Sequence, residues 1–121
     1  MNPHEMSAQE CVDWLLKEEG WYWVGLNDHD GHWRNSKGQR SYYDPFPLTL
    51  DGAAKSLKEM WFWKVMRVIR NNRNGSSGEW VFVCEATRDA RINAEVYAVA
   101  HDELTARYRA AVAAKAKEAT P

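Results

Sequence analysis

The chain has little cysteine, no long hydrophobic run and almost no net charge, and each shortage excludes a class of protein. Only two of its 121 residues are cysteine, too few for a disulfide framework, so we expect two reduced and buried thiols. No apolar run approaches the roughly 18 residues that a membrane-spanning helix needs. A net charge of −1 argues against overall attraction to nucleic acid or to an anionic membrane.

Motifs of known chemistry are also missing. The sequence contains no Walker-type, GxGxxG or GxSxG motif, and no histidine motif accompanies Cys84 to activate it as a nucleophile. The run from Asp28 to His32 concentrates potential metal ligands, but its composition is equally that of an ordinary turn, which we favour. We therefore expect no enzyme, no metal and no cofactor; a small enzyme with an unrecognised site is the alternative. The N-terminus lacks a secretory pattern, so a cytoplasmic location is expected.

The pattern of apolar residues and caps predicts a single domain over 1–121, with frayed ends at 1–6 and 116–121. The predicted elements, in chain order, are a helix at 7–19 with a Ser7–Glu10 capping box, a strand at 21–24, a hairpin at 32–42, a helix of about ten residues after Thr49 or Asp51, strands at 61–70, 79–87 and 95–99, and a last helix capped by Asp102. The predicted fold class is α/β of the α+β kind, a sandwich of α/β/α type around a mainly antiparallel sheet, in the order α-β-(ββ)-α-β-β-β-α.

Tryptophan is unusually abundant, with seven in the chain. Large aromatic side chains dominate cores, so we favour a core role over a stacking platform for a ligand ring. Trp61 and Trp63 share one strand face, and at least one of them should be nearly buried. Phe62 makes the other face aromatic too, and a strand that is apolar on both faces is usually covered on both. So many aromatic residues also indicate a possible homodimer.

Several of these segments together resemble the phage ABA sandwich domain family of small phage and prophage proteins. The similar features are 18–24 after the first helix, the isolated Trp33, 43–54 with its Asp-Pro-Phe-Pro run, 61–63, and 96–100 before the Ala-rich last helix. The resemblance spans roughly 10–115. It implies an α/β/α sandwich and a phage gene context, and it implies no catalytic residues.

Basic residues follow one predicted strand into its turn and are the best candidates for binding an anion. Arg67, Arg70 and Arg73 would supply forked donors, while Trp61 or Trp80, which we place at the far end of the hairpin, would supply a ring. Because Trp61 and Arg67 are about 20 Å apart along an extended strand, a site shared between two subunits is expected. The competing interpretation is a solvated edge whose charges prevent edge pairing.

The predicted function is that of a non-enzymatic phage accessory binding protein in the host cytoplasm, a host-takeover or anti-defence factor. Its partner would be a small anionic, nucleotide-like ligand or a host protein; nucleic acid is unlikely and a membrane is not expected. An alternative is a nucleic-acid-binding module, because the order α-β-β-β-α after Leu48 matches a double-stranded-RNA-binding domain. However, the last helix begins with Asp102 and Glu103, where such domains present lysines.

Overall fold

The computed structural model describes residues 2–27, 29–56, 61–70, 78–89 and 94–118. Within these residues the chain forms three α-helices and two three-stranded antiparallel sheets, which confirms a mixed α+β fold. The elements are a 3-10 turn at Pro3–Glu5, α1 at Ala8–Glu18, β1 at Tyr22–Gly25, β2 at Gly31–Arg34, β3 at Arg40–Ser41, α2 at Leu50–Ser56, β4 at Phe62–Arg70, β5 at Glu79–Thr87, β6 at Val96–Ala100 and α3 at Glu103–Glu118.

Side-chain caps start the helices where the sequence predicted them. The Ser7 hydroxyl accepts from the Glu10 amide at 3.1 Å and the Glu10 carboxylate accepts from the Ser7 amide at 3.2 Å, which completes the capping box of α1. The Thr49 hydroxyl accepts from the Gly52 amide at the start of α2. Asp102 accepts from the Thr105 amide at 2.8 Å at the start of α3. Each cap satisfies amides that have no partner within their helix.

The first sheet, β1-β2-β3, is built by local interactions. Trp23 lies opposite Trp33, and their rings meet edge to face at 5.6 Å. The Asn35 side chain is buried, and its oxygen accepts from the amides of Lys37 and Gln39 at 3.0 Å, which fixes the β2–β3 turn. This sheet is separate from the sheet β4-β5-β6, whereas a single sheet was expected from the sequence.

The second sheet, β4-β5-β6, carries the main apolar surface. β4 and β5 pair along their whole length, from Phe62 opposite Thr87 to Arg70 opposite Glu79. Successive side chains of a strand point to opposite faces. One face therefore carries residues that pack against α3, among them Trp63, Cys84, Ala86, Ala98 and Ala100. We call it the helix face, and the other the outer face.

Helix α3 forms the middle layer of the molecule. On one side, Ala106 and Ala110 pack in a cluster with Cys84 and Ala98 of the sheet. On its other sides, buried side chains of α3 join a second cluster with residues of α1, α2 and the segments next to β4. Those core residues are Cys11, Val12, Leu15, Phe46, Ala53, Trp61, Tyr108, Ala111 and Val112. The layers therefore run from the sheet, through α3, to α1 and α2.

Coverage of β4 differs between its two faces. Trp61, just before β4, is 5% exposed, which confirms that one tryptophan of this pair is nearly buried. Phe62, on the outer face, is 56% exposed, so the expectation that both faces are covered is wrong at this residue.

In the part of the chain described, no helix is both long and apolar enough to span a membrane.

Candidate functional site

The hairpin β4–β5 brings Arg67 and Trp80 together on the helix face. Arg67 lies opposite Phe82, and Ile69 lies opposite Trp80, so Arg67 and Trp80 are diagonal neighbours. The guanidinium carbon of Arg67 is 4.7 Å from the centre of the Trp80 ring and 6.0 Å from that of Phe82. The expectation that Trp80 lies far from the arginines is therefore wrong: β5 begins at Glu79, directly beside the end of β4.

Arg67 has no acidic partner within the residues that the structure describes. Its side chain forms no hydrogen bond or ion pair there and lies over two aromatic rings, and both Arg67 and Trp80 are exposed. A guanidinium that stacks on a ring by its flat face keeps its N–H groups at the edge, where they can donate to a phosphate or carboxylate. The pair therefore combines an unengaged cation with an exposed ring.

Arg70 belongs to a different surface. It is three residues from Arg67 and projects from the outer face, because side chains alternate between the two faces of a strand. There it forms an ion pair with Glu79, whose second carboxylate oxygen lies 4.0 Å from Nδ1 of His101. Arg70, which we expected to act together with Arg67, therefore lies on the opposite face of the sheet and is paired with Glu79. Arg73 lies outside the described residues.

Trp61 has a structural environment at the other end of the sheet. Its indole N–H donates to the Glu118 carboxylate at 2.5 Å, which fixes the last turn of α3. The Arg88 guanidinium lies 5.2 Å from the Trp61 ring and forms an ion pair with Glu95 at 3.0 Å. This pair raises the pKa of Arg88 and lowers that of Glu95. Trp61 therefore does not join the Arg67 site within one chain.

A second arginine of the helix face was missed by the sequence analysis. Arg107 of α3 lies 4.2 Å above the Trp63 ring and forms an ion pair with Glu103 at 2.8 Å. Its Nε–H is buried and has no hydrogen-bond partner among the described residues. The spacing of Glu103 and Arg107 predicts their ion pair, but a helical pattern gives no sign of which strand residue lies beneath. We call the set Trp63, Arg67, Trp80, Phe82 and Arg107 the cation–aromatic face.

The other candidate chemistries find little support in the geometry. In the described ranges, which omit Asp28, no group of three metal-ligating side chains comes together. Nε2 of His32 instead accepts from Nε of Arg34 at 2.9 Å, and its ring lies 5.6 Å from the Tyr42 ring, tilted by 44°. Both cysteines are fully buried, as predicted. Burial raises the pKa of Cys11 to about 11 and that of Cys84 to about 12, so both thiols are protonated at neutral pH.

A cleft of about 270 Å³ lies between α1 and the segment 44–48, remote in sequence from the cation–aromatic face. Trp33, Phe46 and Leu16 supply its apolar wall. Asp13 and Asp44 also line it, and these carboxylates disfavour an anionic ligand. The cleft is therefore a poorer site for an anionic ligand than the cation–aromatic face.

A scan of protein-family models, a search of curated proteins and a search of solved structures each found no match to this chain. The resemblance to the phage ABA sandwich domain family accordingly stays a prediction from the sequence.

Proposed function

We propose that the protein is a non-enzymatic binding protein whose cation–aromatic face takes a small anionic ligand of the nucleotide-like class. The observation that carries this proposal is the exposed Arg67 guanidinium, which lies 4.7 Å above the exposed Trp80 ring. Among the described residues no carboxylate competes for it. An exposed cation normally lies in solvent or pairs with an acid; the guanidinium of Arg67 instead lies over an aromatic ring.

The chemistry of the pair suits a ligand with both charge and a ring. Arginine recognises phosphate and carboxylate with two parallel hydrogen bonds, and its planar group also stacks on aromatic surfaces. A nucleobase that stacks on the guanidinium or on the open part of Trp80 would gain about 1–3 kcal/mol. Ile69, which lies opposite Trp80 on the same face and is exposed, extends the apolar part of this surface.

A binding role agrees with the state of the nucleophilic groups. Both thiols are buried and protonated at neutral pH, because burial raises the pKa of each. Neither can attack a substrate without being uncovered and ionised. The resemblance to the phage family leads us to place this binding in an infected host cell, in a host-takeover or anti-defence factor that captures a nucleotide-like signal.

Thermal unfolding in the presence of mono-, di- and cyclic nucleotides tests the proposal. We expect at least one nucleotide to raise the melting temperature, and Arg67→Ala and Trp80→Ala each to abolish the shift. Arg70→Ala is the matched control: it removes the same charge from the same strand, but from the outer face, and it should keep the shift. If no nucleotide shifts the wild-type protein, or if Arg70→Ala removes the shift as completely as Arg67→Ala, the ligand assignment is wrong. A host protein then becomes the better partner.

A further inference from the structure

The two edge strands of the second sheet, β4 and β6, differ in how far other parts of the chain cover them. Along β6, Arg109 donates to the Val99 carbonyl at 2.8 Å and Lys117 donates to the Glu95 carbonyl, just before the strand, at 3.3 Å. The ring of His4, from the 3-10 turn, lies 5.7 Å from that of Tyr97. The edge of β4 has no such cover in the described residues: no strand pairs with it on that side, and no side chain hydrogen-bonds to its backbone. Among the residues that the structure describes, nothing covers this regular edge of nine residues.

We propose that two copies of this chain join along this edge, with β4 antiparallel to β4 of the partner and the two-fold axis at Met66. The result would be one continuous six-stranded sheet. Residues directly opposite each other in an antiparallel pair lie on the same face of the sheet. A two-fold axis normal to the sheet must therefore pass beside a residue that faces its own copy, and Met66 is the middle residue of Phe62–Arg70.

The charges along β4 select this register. With Met66 at the centre, Lys64 faces Val68 of the second copy, Arg67 faces Val65 and Arg70 faces Phe62. No two basic side chains are then directly opposed, and Phe62 gains a cation above or beside its ring. A shift of the centre to Arg67 would set Arg67 against itself and Lys64 against Arg70, and like charges directly opposite are destabilising.

A shift of the centre in the other direction is also inferior. With Val65 at the centre, Ile69 would face Trp61, which is buried in its own chain, and Arg70 would pass beyond the end of the partner strand. The Met66 register alone pairs all nine residues of the strand. In this register the basic residues of β4 lie opposite uncharged residues of the partner strand, so they do not prevent β4 from pairing with a second copy of itself.

The same register covers the exposed apolar side chains of β4. Phe62 would face Arg70, and Ile69, which is 53% exposed, would face Trp63. Both cation–aromatic faces would lie on one side of the joined sheet, with the two Arg67 residues only two positions apart across the seam. This inference does not depend on the identity of any ligand, since it rests on the edge and its charges.

Cysteine cross-linking tests both the seam and its register. Directly opposite residues have Cα atoms about 4.5–5.5 Å apart, within the range that a disulfide bridges. Under mild oxidation, Met66→Cys should therefore give a disulfide-linked dimer. Val68→Cys is the matched control: it is on the same face of the same strand, but two copies of it would lie roughly 13 Å apart along the seam. The native thiols are fully buried and should not contribute.

A charge test at an exposed position gives a second, independent measurement. Phe62→Lys would place a cation opposite Arg70 of the partner, twice by symmetry, and should shift the protein to monomer in light scattering. Phe62→Glu, which places an acid there, should keep the dimer. Because Phe62 is exposed, both variants should fold with near wild-type circular dichroism. A wild-type protein that is monomeric at micromolar concentration overturns the proposal. So does a Met66→Cys variant that links no faster than Val68→Cys, or a pair of Phe62 variants with the same oligomeric state.

Discussion

Two arginine–tryptophan contacts lie at opposite ends of the second sheet, at similar ring distances but in different surroundings. Arg88 lies 5.2 Å from the Trp61 ring, and Arg67 lies 4.7 Å from the Trp80 ring. Trp61 is buried and donates to Glu118, while Arg88 is held by Glu95. Trp80 is exposed, and Arg67 has no acid beside it in the described residues.

The difference shows that a cation–π contact alone does not identify a binding site. At the Trp61 end the indole N–H is bonded to Glu118 and the Arg88 guanidinium is paired with Glu95, so both polar groups are already engaged within the chain. At the Trp80 end the cation and the ring are both exposed, so both groups are left open for the ligand that we propose. The two contacts differ in whether the arginine and the tryptophan already have hydrogen-bond or ion-pair partners within the chain. Single substitutions can test this difference.

The largest expected effect is at the buried ring. Trp61→Ala should lower the free energy of unfolding by about 3–5 kcal/mol, because it removes a buried aromatic side chain and leaves a cavity under α3. Trp80→Ala should cost less than about 1 kcal/mol, since its ring is already exposed. Denaturant unfolding followed by far-ultraviolet circular dichroism measures both. If both variants lost the same unfolding free energy, Trp61 and Trp80 would contribute equally to the fold, which would contradict the difference between the two contacts.

Arg107 and Trp63 provide an intermediate case. The Arg107 side chain is only 20% exposed, and it both stacks on Trp63 and pairs with Glu103. Arg107→Ala should therefore cost roughly 1–2 kcal/mol of unfolding free energy, between the values for the two ends. Arg107→Lys keeps the charge but loses the planar stack, and should recover only part of this. Full recovery in the lysine variant would show that the stack contributes little.

The acid sensitivity of the two ends should also differ. Arg88 holds the pKa of Glu95 below its ordinary value of 4.5. The resulting stability is present above that value and is lost as the pH falls through the lower folded-state pKa. Glu95→Gln should thus lower the melting temperature at neutral pH and flatten its fall between neutral pH and about pH 3. Arg67→Ala should leave the shape of this profile unchanged, and a parallel flattening in that variant would reveal an acidic partner.

The smallest expected effect is on the stability of the unliganded protein when Arg67 is removed. Arg67→Ala should change the free energy of unfolding by no more than about 0.5 kcal/mol, because its guanidinium is exposed and unpaired in the described residues. The fluorescence of the nearby Trp80 is expected to change, since the cation over its ring is lost. A clearly destabilised variant would mean that Arg67, like Arg88, supports the fold.

Local signals in the sequence predicted most of the elements. The capping box at Ser7 and Glu10 starts a helix wherever it precedes an apolar stripe, and Asp102 acts in the same way before α3. The β4–β5 hairpin followed from β-branched and aromatic runs on either side of a polar loop. These signals are short-range, so one chain segment contains them completely.

Pairing and coverage were harder to predict because they depend on segments that are distant in sequence. The predicted strand limits at Arg70 and Glu79 already implied that Trp80 lies near Arg67, yet we placed Trp80 at the far end of the hairpin. The position of Arg107 over Trp63 depends on how α3 crosses the sheet, which no local pattern records. The exposure of Phe62 likewise depends on which side of the sheet the helices occupy.

The central position of α3 has a consequence for how the chain folds. This helix follows every strand in chain order, yet both clusters of buried side chains need it. While the chain is being synthesised, the helix face of the sheet and the apolar stripe of α1 must therefore remain without their cover until α3 emerges. Contacts between α1 and α3 also close nearly the whole length of the chain, and such long-range contacts slow folding. The nascent chain therefore offers exposed aromatic strands to chaperones, or to a neighbouring nascent copy, for most of its synthesis.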